Sequence, residues 1–131
     1  MLVLFKGNNA ASAWPRNSPS VYNGLLYMRT GEFTPVAHAF HEFSKLFRGD
    51  GALEIESNSS EPYAIAAKDG GVTRVLISNY RKPASTVTVE LPGKKIRVFG
   101  LCDGGFGELK SCRDSVTLPL SLYTVYCMEA E

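Results

Sequence analysis

The stretch YAIAAKDGGVTRVLISNY, from Tyr63 to Tyr80, predicts a β-hairpin built from two apolar strands. Asp69, Gly70 and Gly71 supply residue types that accept the positive φ angles of a tight turn. The second strand, VTRVLISN, has apolar residues on both faces, which is typical of a strand covered on two sides. Its partner carries small alanines that allow another layer to approach closely. We therefore predict that this hairpin lies in the middle of a sheet.

The chain from residue 50 onward continues with period-two alternation. TVTVEL alternates cleanly, with its valines and its leucine expected to face inward, and Pro92–Gly93 is expected to make the next turn. Further strands are predicted in ALEIES, KIRVFGL, SVTLPL and LYTVYCME, with DGGFGELKSC as a loop. The fold class predicted is mainly β, an antiparallel β-sandwich of about seven to eight strands with one N-terminal amphipathic helix.

The helix is predicted over PVAHAFHEFSKLF, from Pro35 to Phe47. Thr34 is a suitable N-cap, and proline is favoured at the first helical position, where its missing N–H does no harm. Gly49 can end the helix. Spacings of four, three and four place the large apolar residues on one stripe, which consists of Val36, Phe40, Phe43 and Phe47. Such a helix needs a large apolar partner, and we expect it to cover the second face of the hairpin's sheet.

Composition excludes several classes of function. The 131 residues suit one domain, with 44% apolar and 21% charged residues, and this is too apolar for disorder. A net charge of +1 with scattered basic residues argues against nucleic acid as a partner. No apolar run approaches the roughly 20 residues that span a bilayer, so we expect no membrane partner. The opening MLVLF is followed by Lys6 and is too short for a signal-peptide core, and the localisation stays open.

The three cysteines, Cys102, Cys112 and Cys127, lack the spacing of a zinc site, and we expect neither a metal nor another cofactor. Cys102 and Cys112 flank the glycine-rich loop and could form a disulfide across a hairpin. The other interpretation is three small, partly buried thiols. The sequence leaves the pairing open.

Candidate catalytic side chains are few, and none forms a self-sufficient active site. Glu54 and Glu56 project to one side of a strand, but alternation with apolar residues is also what a solvated sheet face shows. His38 and His41 lie three apart on the helix without an evident third metal ligand. Cys127 has no histidine nearby in the sequence and is expected to be a core thiol.

The polar loop NNAASAWPRNSPSVYNG contains Trp14, the one residue that we nominate for substrate binding. Tryptophan and tyrosine faces are platforms for sugar rings, since they combine an apolar face with a polar handle. Four tyrosines in the strand region are instead expected in the core because of their strand positions: Tyr63, Tyr80, Tyr123 and Tyr126.

LLYMRTGEFTPVAHAFHEFSKLF, followed by YAIAAKDGGVTRVLISNY, resembles the C-terminal end of (β/α)8-barrel glycoside hydrolases that carry a β-sandwich appendage. The similar enzymes are of the β-xylosidase, α-L-iduronidase and arabinofuranosidase type. The matching residues of the first phrase are Leu25, Leu26, Gly31, Pro35, Ala39 and Phe40. Those of the second are Ala66, Ala67, Asp69, Gly70, Leu76, Ile77, Asn79 and Tyr80.

The resemblance implies two parts. Residues 1–49 would be the remnant of the last barrel strand, its loop and the last barrel helix, and residues 50–131 would be the β-sandwich domain. The family's two catalytic glutamates, which retaining hydrolysis requires, would both precede Met1. No catalytic residue is therefore assigned, and whether this chain is an enzyme stays open. Trp14 would line the sugar site.

The function expected is a non-catalytic C-terminal β-sandwich portion of a glycoside hydrolase, which braces the catalytic barrel and borders the sugar site. The alternatives are a stand-alone carbohydrate-binding module and a self-associating interaction domain. Exposed edges of MLVLF and unusual apolar exposure would favour a homodimer. A secreted or periplasmic parent enzyme is compatible with the resemblance, and the substrate and linkage stay open.

Overall fold

The computed structural model describes residues 21–22, 26–27, 31–59, 62–80, 84–102 and 104–131. Six strands form one antiparallel sheet in the order β3-β4-β5-β8-β6-β7, and β1 and β2 form a separate antiparallel pair. The predicted mainly β class with one helix is confirmed for this part of the chain, but the predicted sandwich is not, because the six strands form one sheet. The elements are β1 (Val21–Tyr22), β2 (Leu26–Tyr27), α1 (Pro35–Leu46), β3 (Gly51–Leu53), β4 (Tyr63–Asp69), β5 (Val72–Asn79), β6 (Ser85–Cys102), β7 (Gly105–Leu120) and β8 (Thr124–Ala130).

The hairpin predicted from Tyr63 to Tyr80 is formed by β4 and β5, and β5 lies between β4 and β8. Gly70 and Gly71 have φ angles of 54° and 102°, so both turn glycines use the conformation that larger residues avoid. The Asp50 carboxylate accepts a hydrogen bond from the Gly70 N–H at 3.2 Å. This bond ties the turn to the segment that connects α1 with β3. The prediction of a central hairpin is confirmed.

The sheet has six strands, where about seven to eight were predicted, because segments taken as separate strands are halves of longer ones. TVTVEL and KIRVFGL both belong to β6, and Pro92–Gly93 makes a bulge within it, not a turn. At this bulge Gly93, with φ 76°, donates its N–H to the Asp114 carboxylate at 2.8 Å. Most of the predicted loop DGGFGELKSC is strand, since β7 begins at Gly105.

The long hairpin of β6 and β7 folds back over the sheet. In register, Tyr126 of β8 lies opposite Gly100, while Pro119 of β7 lies opposite Thr86, near the other end of β6. The Tyr126 hydroxyl nevertheless donates a hydrogen bond to the Pro119 carbonyl at 2.7 Å. A straight strand cannot bring these groups together, so the hairpin bends, as strands do at bulges.

This bend encloses one hydrophobic core. Side chains from the folded-back half of the hairpin join the inner face of the sheet in a single cluster. It contains Val75, Ile77, Ile96, Val98, Val116, Leu118, Leu120, Tyr126, Met128 and Ala130. Val87, Val89 and Leu91 pack against it, as their predicted inward orientation requires.

Helix α1 lies against the opposite face of the sheet. Thr34 caps it by accepting a hydrogen bond from the Ala37 N–H at 3.3 Å, and Pro35 occupies the first position, as predicted. A Glu42 oxygen lies 3.8 Å from the Cys127 sulfur on this outer face. Because Glu42 is turned toward the sheet, most of the predicted apolar stripe points elsewhere, and no helix residue is fully buried. The helix thus lies on the second face of the sheet, as expected, but most of its apolar stripe is turned away from that face.

Within the described ranges, no helix has the length and apolar character that crossing a bilayer requires.

Candidate functional site

Trp14, the nominated substrate-binding residue, lies outside the described residues, as does the opening MLVLF. The assignment of Trp14 to a sugar site therefore stays a prediction. The two-part division into residues 1–49 and 50–131 likewise stays a prediction.

The carboxylates considered for acid–base chemistry lie on open surface. Strand β3 ends at Leu53, so Glu54 and Glu56 follow the strand and do not form part of its solvated face. Both are exposed, and so is Ile55 between them. The strand predicted over ALEIES is thus too long, and this segment offers no enclosed site.

The two helix histidines have separate surroundings. His38 meets the Phe33 ring edge-on, with 5.9 Å between centroids, and packs so closely on Gly105 that a Cβ there would lie 3.1 Å from Nδ1. His41 is exposed. No group of three potential metal ligands occurs among the residues that the structure describes. His38 therefore helps to seat the helix on the turn between β6 and β7.

The disulfide that the sequence left open does not form, and all three cysteines are free. Cys102 lies opposite Gly105 in the β6–β7 ladder, whereas Cys112 lies opposite Ile96, well down the hairpin. The two thiols are kept apart because the supposed loop between them is paired strand. Cys102 is exposed, Cys112 is half-buried and Cys127 is buried.

Cys127 is the most strongly perturbed of the described titratable groups. Burial, followed by the nearby charges of Glu42 and Glu129, raises the pKa of its thiol to about 12, from an ordinary value of 9.0. A thiol that stays neutral at physiological pH is a poor nucleophile. The structure thus favours the predicted core thiol over a catalytic cysteine.

We expect the three thiols to differ sharply in reactivity at pH 8. Cys102 should react with a chromogenic disulfide reagent in the native state, while Cys127 should react only when the protein unfolds. The stability linked to Cys127 should be constant below pH 9 and should fall as the pH rises toward 12, since only the unfolded thiol ionises there. Cys102→Ser, the control, should remove the fast phase. Equal rates for Cys102 and Cys127 would contradict this assignment.

An ion network lies on the helix-bearing face of the sheet. Glu129 of β8 stands between Arg74 of β5 and Arg97 of β6, and it accepts hydrogen bonds from both guanidinium groups. Burial alone would lower the pKa of Arg74, but the hydrogen bond and charge of Glu129, with a smaller effect of Asp69, outweigh it and raise that pKa. These charges neutralise one another, so the network joins three strands and leaves no charge poised for chemistry.

Three of the four tyrosines expected in the core are exposed. The rings of Tyr63 and Tyr80 stack, with centroids 5.5 Å apart and planes 18° from parallel. Tyr123 is the most exposed of the large hydrophobic residues described. Tyr126 alone is buried as expected, and burial raises the pKa of its phenol. The prediction failed for Tyr63, Tyr80 and Tyr123, which lie at or just beyond strand ends and not in the buried middle of the sheet.

A second exposed surface, the outer helix surface, is defined by Phe33, Val36, Phe40 and Phe47. Phe47 and Phe33 leave 74% and 60% of their surfaces accessible, although the other side of the helix rests on the sheet. The helix therefore has more apolar surface than its contact with this sheet covers.

Comparison with known proteins gives a likeness of fold. No protein-family model matches the chain, and no curated protein matches it. Among solved structures, it is similar to CelM2, a bifunctional glucanase-xylanase protein from a metagenome library, with a TM-score of 0.51 and 19% sequence identity. The likeness covers 63% of this chain and 18% of that one. At this identity the comparison shows that the chain shares a fold with part of a glycoside hydrolase.

Proposed function

We propose that this chain is a non-catalytic C-terminal β-sandwich portion of a glycoside hydrolase, which braces a catalytic (β/α)8 barrel and borders its sugar site. Two kinds of likeness support the proposal. The sequence resembles the end of such enzymes from Leu25 through Tyr80, and the fold is similar to part of a glucanase-xylanase protein.

The observation that carries the proposal is the outer helix surface. A helix that only covered a sheet would direct its large apolar side chains toward that sheet and polar ones toward water. Val36 and Phe40 of α1 and the C-cap residue Phe47 are exposed, while Glu42 lies against the sheet. Burying a large apolar side chain contributes about 1.5–3 kcal/mol, so this surface is a strong site for association.

A catalytic barrel is the partner that fits this arrangement best. The last helix of such a barrel has the barrel on one side and the appended domain on the other. Here the helix already lies on the sheet with one side, and its apolar residues occupy the other. A second copy of the chain would cover the same surface in a homodimer, and the test below distinguishes the two.

Catalysis by this chain alone is not part of the proposal. Glu54 and Glu56 are exposed and follow the edge strand β3, which supports a domain whose chemistry is supplied by another part of the enzyme. Trp14 would be the residue of this chain that reaches the sugar.

The decisive test begins with the coding sequence upstream of Met1. We expect a (β/α) pattern with glutamates at two strand ends, and we expect the extended polypeptide to hydrolyse aryl glycosides while the 131-residue chain does not. Turnover by the 131-residue chain that is lost in Glu54→Gln or Glu56→Gln would overturn the proposal.

The outer helix surface can be tested by paired substitutions. Phe40→Glu with Phe47→Glu should lower the unfolding free energy of the isolated chain by no more than about 1–2 kcal/mol, because Phe47 and Phe40 leave 74% and 39% of their surfaces accessible. In the extended polypeptide the same pair should lower the thermal midpoint and activity. Leu109→Glu, an exposed apolar residue on β7, is the matched control. A concentration-dependent mass of the isolated chain, abolished by the pair, would favour the homodimer instead.

A further inference from the structure

Helix α1 is docked in an orientation that its own amphipathic pattern does not favour. A helix on a sheet is normally rolled about its axis so that the apolar stripe lies on the sheet and charged residues face water. Here Glu42 lies in the seam between helix and sheet, with 14% of its side chain accessible, while Val36 and Phe40 are exposed. Because the local pattern and the docked structure disagree, contacts outside the helix face must set this roll.

The middle of the seam holds the helix weakly. The Cys127 sulfur lies 3.8 Å from a Glu42 oxygen, and a thiol is a weak hydrogen-bond donor. The ion partner of Glu42 is Lys45, at 2.6 Å, which belongs to the same helix and therefore fastens nothing to the sheet. Taking a carboxylate out of water is also costly. The contacts that fix the roll lie at the two ends of the helix.

The C-terminal end of the helix is tied to the β4–β5 hairpin. Gly49 packs so closely on the Lys68 carbonyl that a Cβ at this position would collide with the carbonyl oxygen. The Asp50 N–H donates to the same oxygen at 2.6 Å, and the Asp50 carboxylate accepts the Gly70 N–H at 3.2 Å. We call these contacts of Gly49 and Asp50 the C-terminal latch. The helix cannot roll while the latch is closed, because Gly49 closely follows the C-cap residue, Phe47.

The N-terminal end of the helix is seated by His38. Its ring packs on Gly105, where a Cβ would lie 3.1 Å from Nδ1, and it meets the Phe33 ring edge-on. Both ends of a helix of 12 residues are thus fixed on the sheet. Two fixed ends determine the roll even though the face between them carries a carboxylate.

The sheet offers apolar surface to the stripe if the helix is released. Leu76 and Phe99 are the ladder partners of Cys127 on either side, so both lie on the face that carries the helix. Both are only half-buried in the present orientation.

We propose that the two ends of α1 hold its apolar stripe outward, and that opening the C-terminal latch lets the helix roll by roughly a third of a turn and bury the stripe on the sheet. The outward orientation keeps the outer helix surface available to a partner, whereas the rolled orientation hides it. That consequence rests on the proposed function. The roll itself is a property of this chain and is tested without a partner.

The test measures the rate at which a reporter thiol on the helix reacts with a soluble maleimide, located by peptide mass, in the 131-residue chain with Cys102→Ser. Val36→Cys lies on the stripe and should react at least about tenfold more slowly when Gly49→Ala is added, as expected of a group that is reached only after local opening. His41→Cys, at an exposed helix position off the stripe, is the matched reporter and should keep its rate.

Two further variants separate the latch from general effects of substitution. Gly107→Ala adds a Cβ where nothing lies within 4 Å, so it should leave both reporter rates unchanged. Asp50→Ala removes the carboxylate of the latch without adding a clash, and it should slow Val36→Cys by a smaller factor than Gly49→Ala. Circular dichroism should show the parent's helix and strand content in each variant.

Contrary results would be clear. An unchanged Val36→Cys rate in both folded latch variants would overturn the inference. Fast reaction of Cys127 together with both reporters would also overturn it, because the helix would then have left the sheet instead of rolling on it. Equal slowing of Val36→Cys and His41→Cys would do the same, since a roll covers only one side of the helix. A missing upstream barrel would count against the proposed function and leave this inference intact.

Discussion

Replacing Met128 with alanine should lower the unfolding free energy by about 2–5 kcal/mol, the range for removing a long apolar side chain from a core. Met128 is completely buried, with 0% of its surface accessible. It lies on β8 between Val75 of β5 and Val98 of β6, both members of the same core cluster. The surrounding strands are fixed on two sides, so the site cannot collapse easily into the space left.

Urea unfolding followed by circular dichroism measures this effect. The expected loss is large compared with the total unfolding free energy of a single domain, which is roughly 5–15 kcal/mol. Met128→Leu is the matched control, since it preserves most of the volume and should cost less than about 1.5 kcal/mol. An alanine variant within about 1 kcal/mol of the parent would mean that the folded-back half of the β6–β7 hairpin does not close over β8.

Features set by local sequence were predictable. The Asp69–Gly70–Gly71 turn, the Thr34 cap and the Pro35 start depend on residues close together in the chain, and the structure shows each of them. Period-two alternation also predicted the inward valines of β6. In each case the physical preference of the residue type and the final structure agree.

Features set by distant contacts were not predictable. Pro92 and Gly93 are typical turn residues, but Asp114 on the facing strand accepts the Gly93 N–H, and the chain continues as one bent strand. Alternation continues through a bulge much as it does through a turn, so the pattern alone cannot separate the two. The strand count was too high for this reason.

For the candidate site, too, residue type alone did not predict which side chains are exposed. Trp14 was chosen on residue type, and no described contact tests it. Tyr63 and Tyr80 were assigned to the core because of their strand positions, but they lie at strand ends, where both are exposed. The left-handed φ of Tyr123 has no signature in the sequence, because tyrosine is not a residue type that favours it.

Removing the charge of Glu129 should destabilise the protein by about 1–3 kcal/mol, the cost of leaving a partly buried charged group without its partner. Glu129 and Arg74 each leave only 19% of the side chain accessible. Glu129→Gln keeps the shape but takes the negative charge away from between Arg74 and Arg97. Arg74 would then retain Asp69, at 3.5 Å from its Nε, as its remaining described acidic partner.

Glu131→Gln provides the matched control, because Glu131 lies 3.7 Å from the same Arg97 but leaves 62% of its side chain accessible. Surface pairs of that kind are worth about 0–1 kcal/mol, so this variant should unfold at nearly the parent's denaturant midpoint. The double variant Arg74→Met with Glu129→Leu should recover most of the loss, since it removes both charges and leaves neither buried alone. Equal midpoints for Glu129→Gln and Glu131→Gln would show that Arg74 reaches solvent when its partner is removed. In that case the network would not be what joins β5, β8 and β6 on the face that carries the helix.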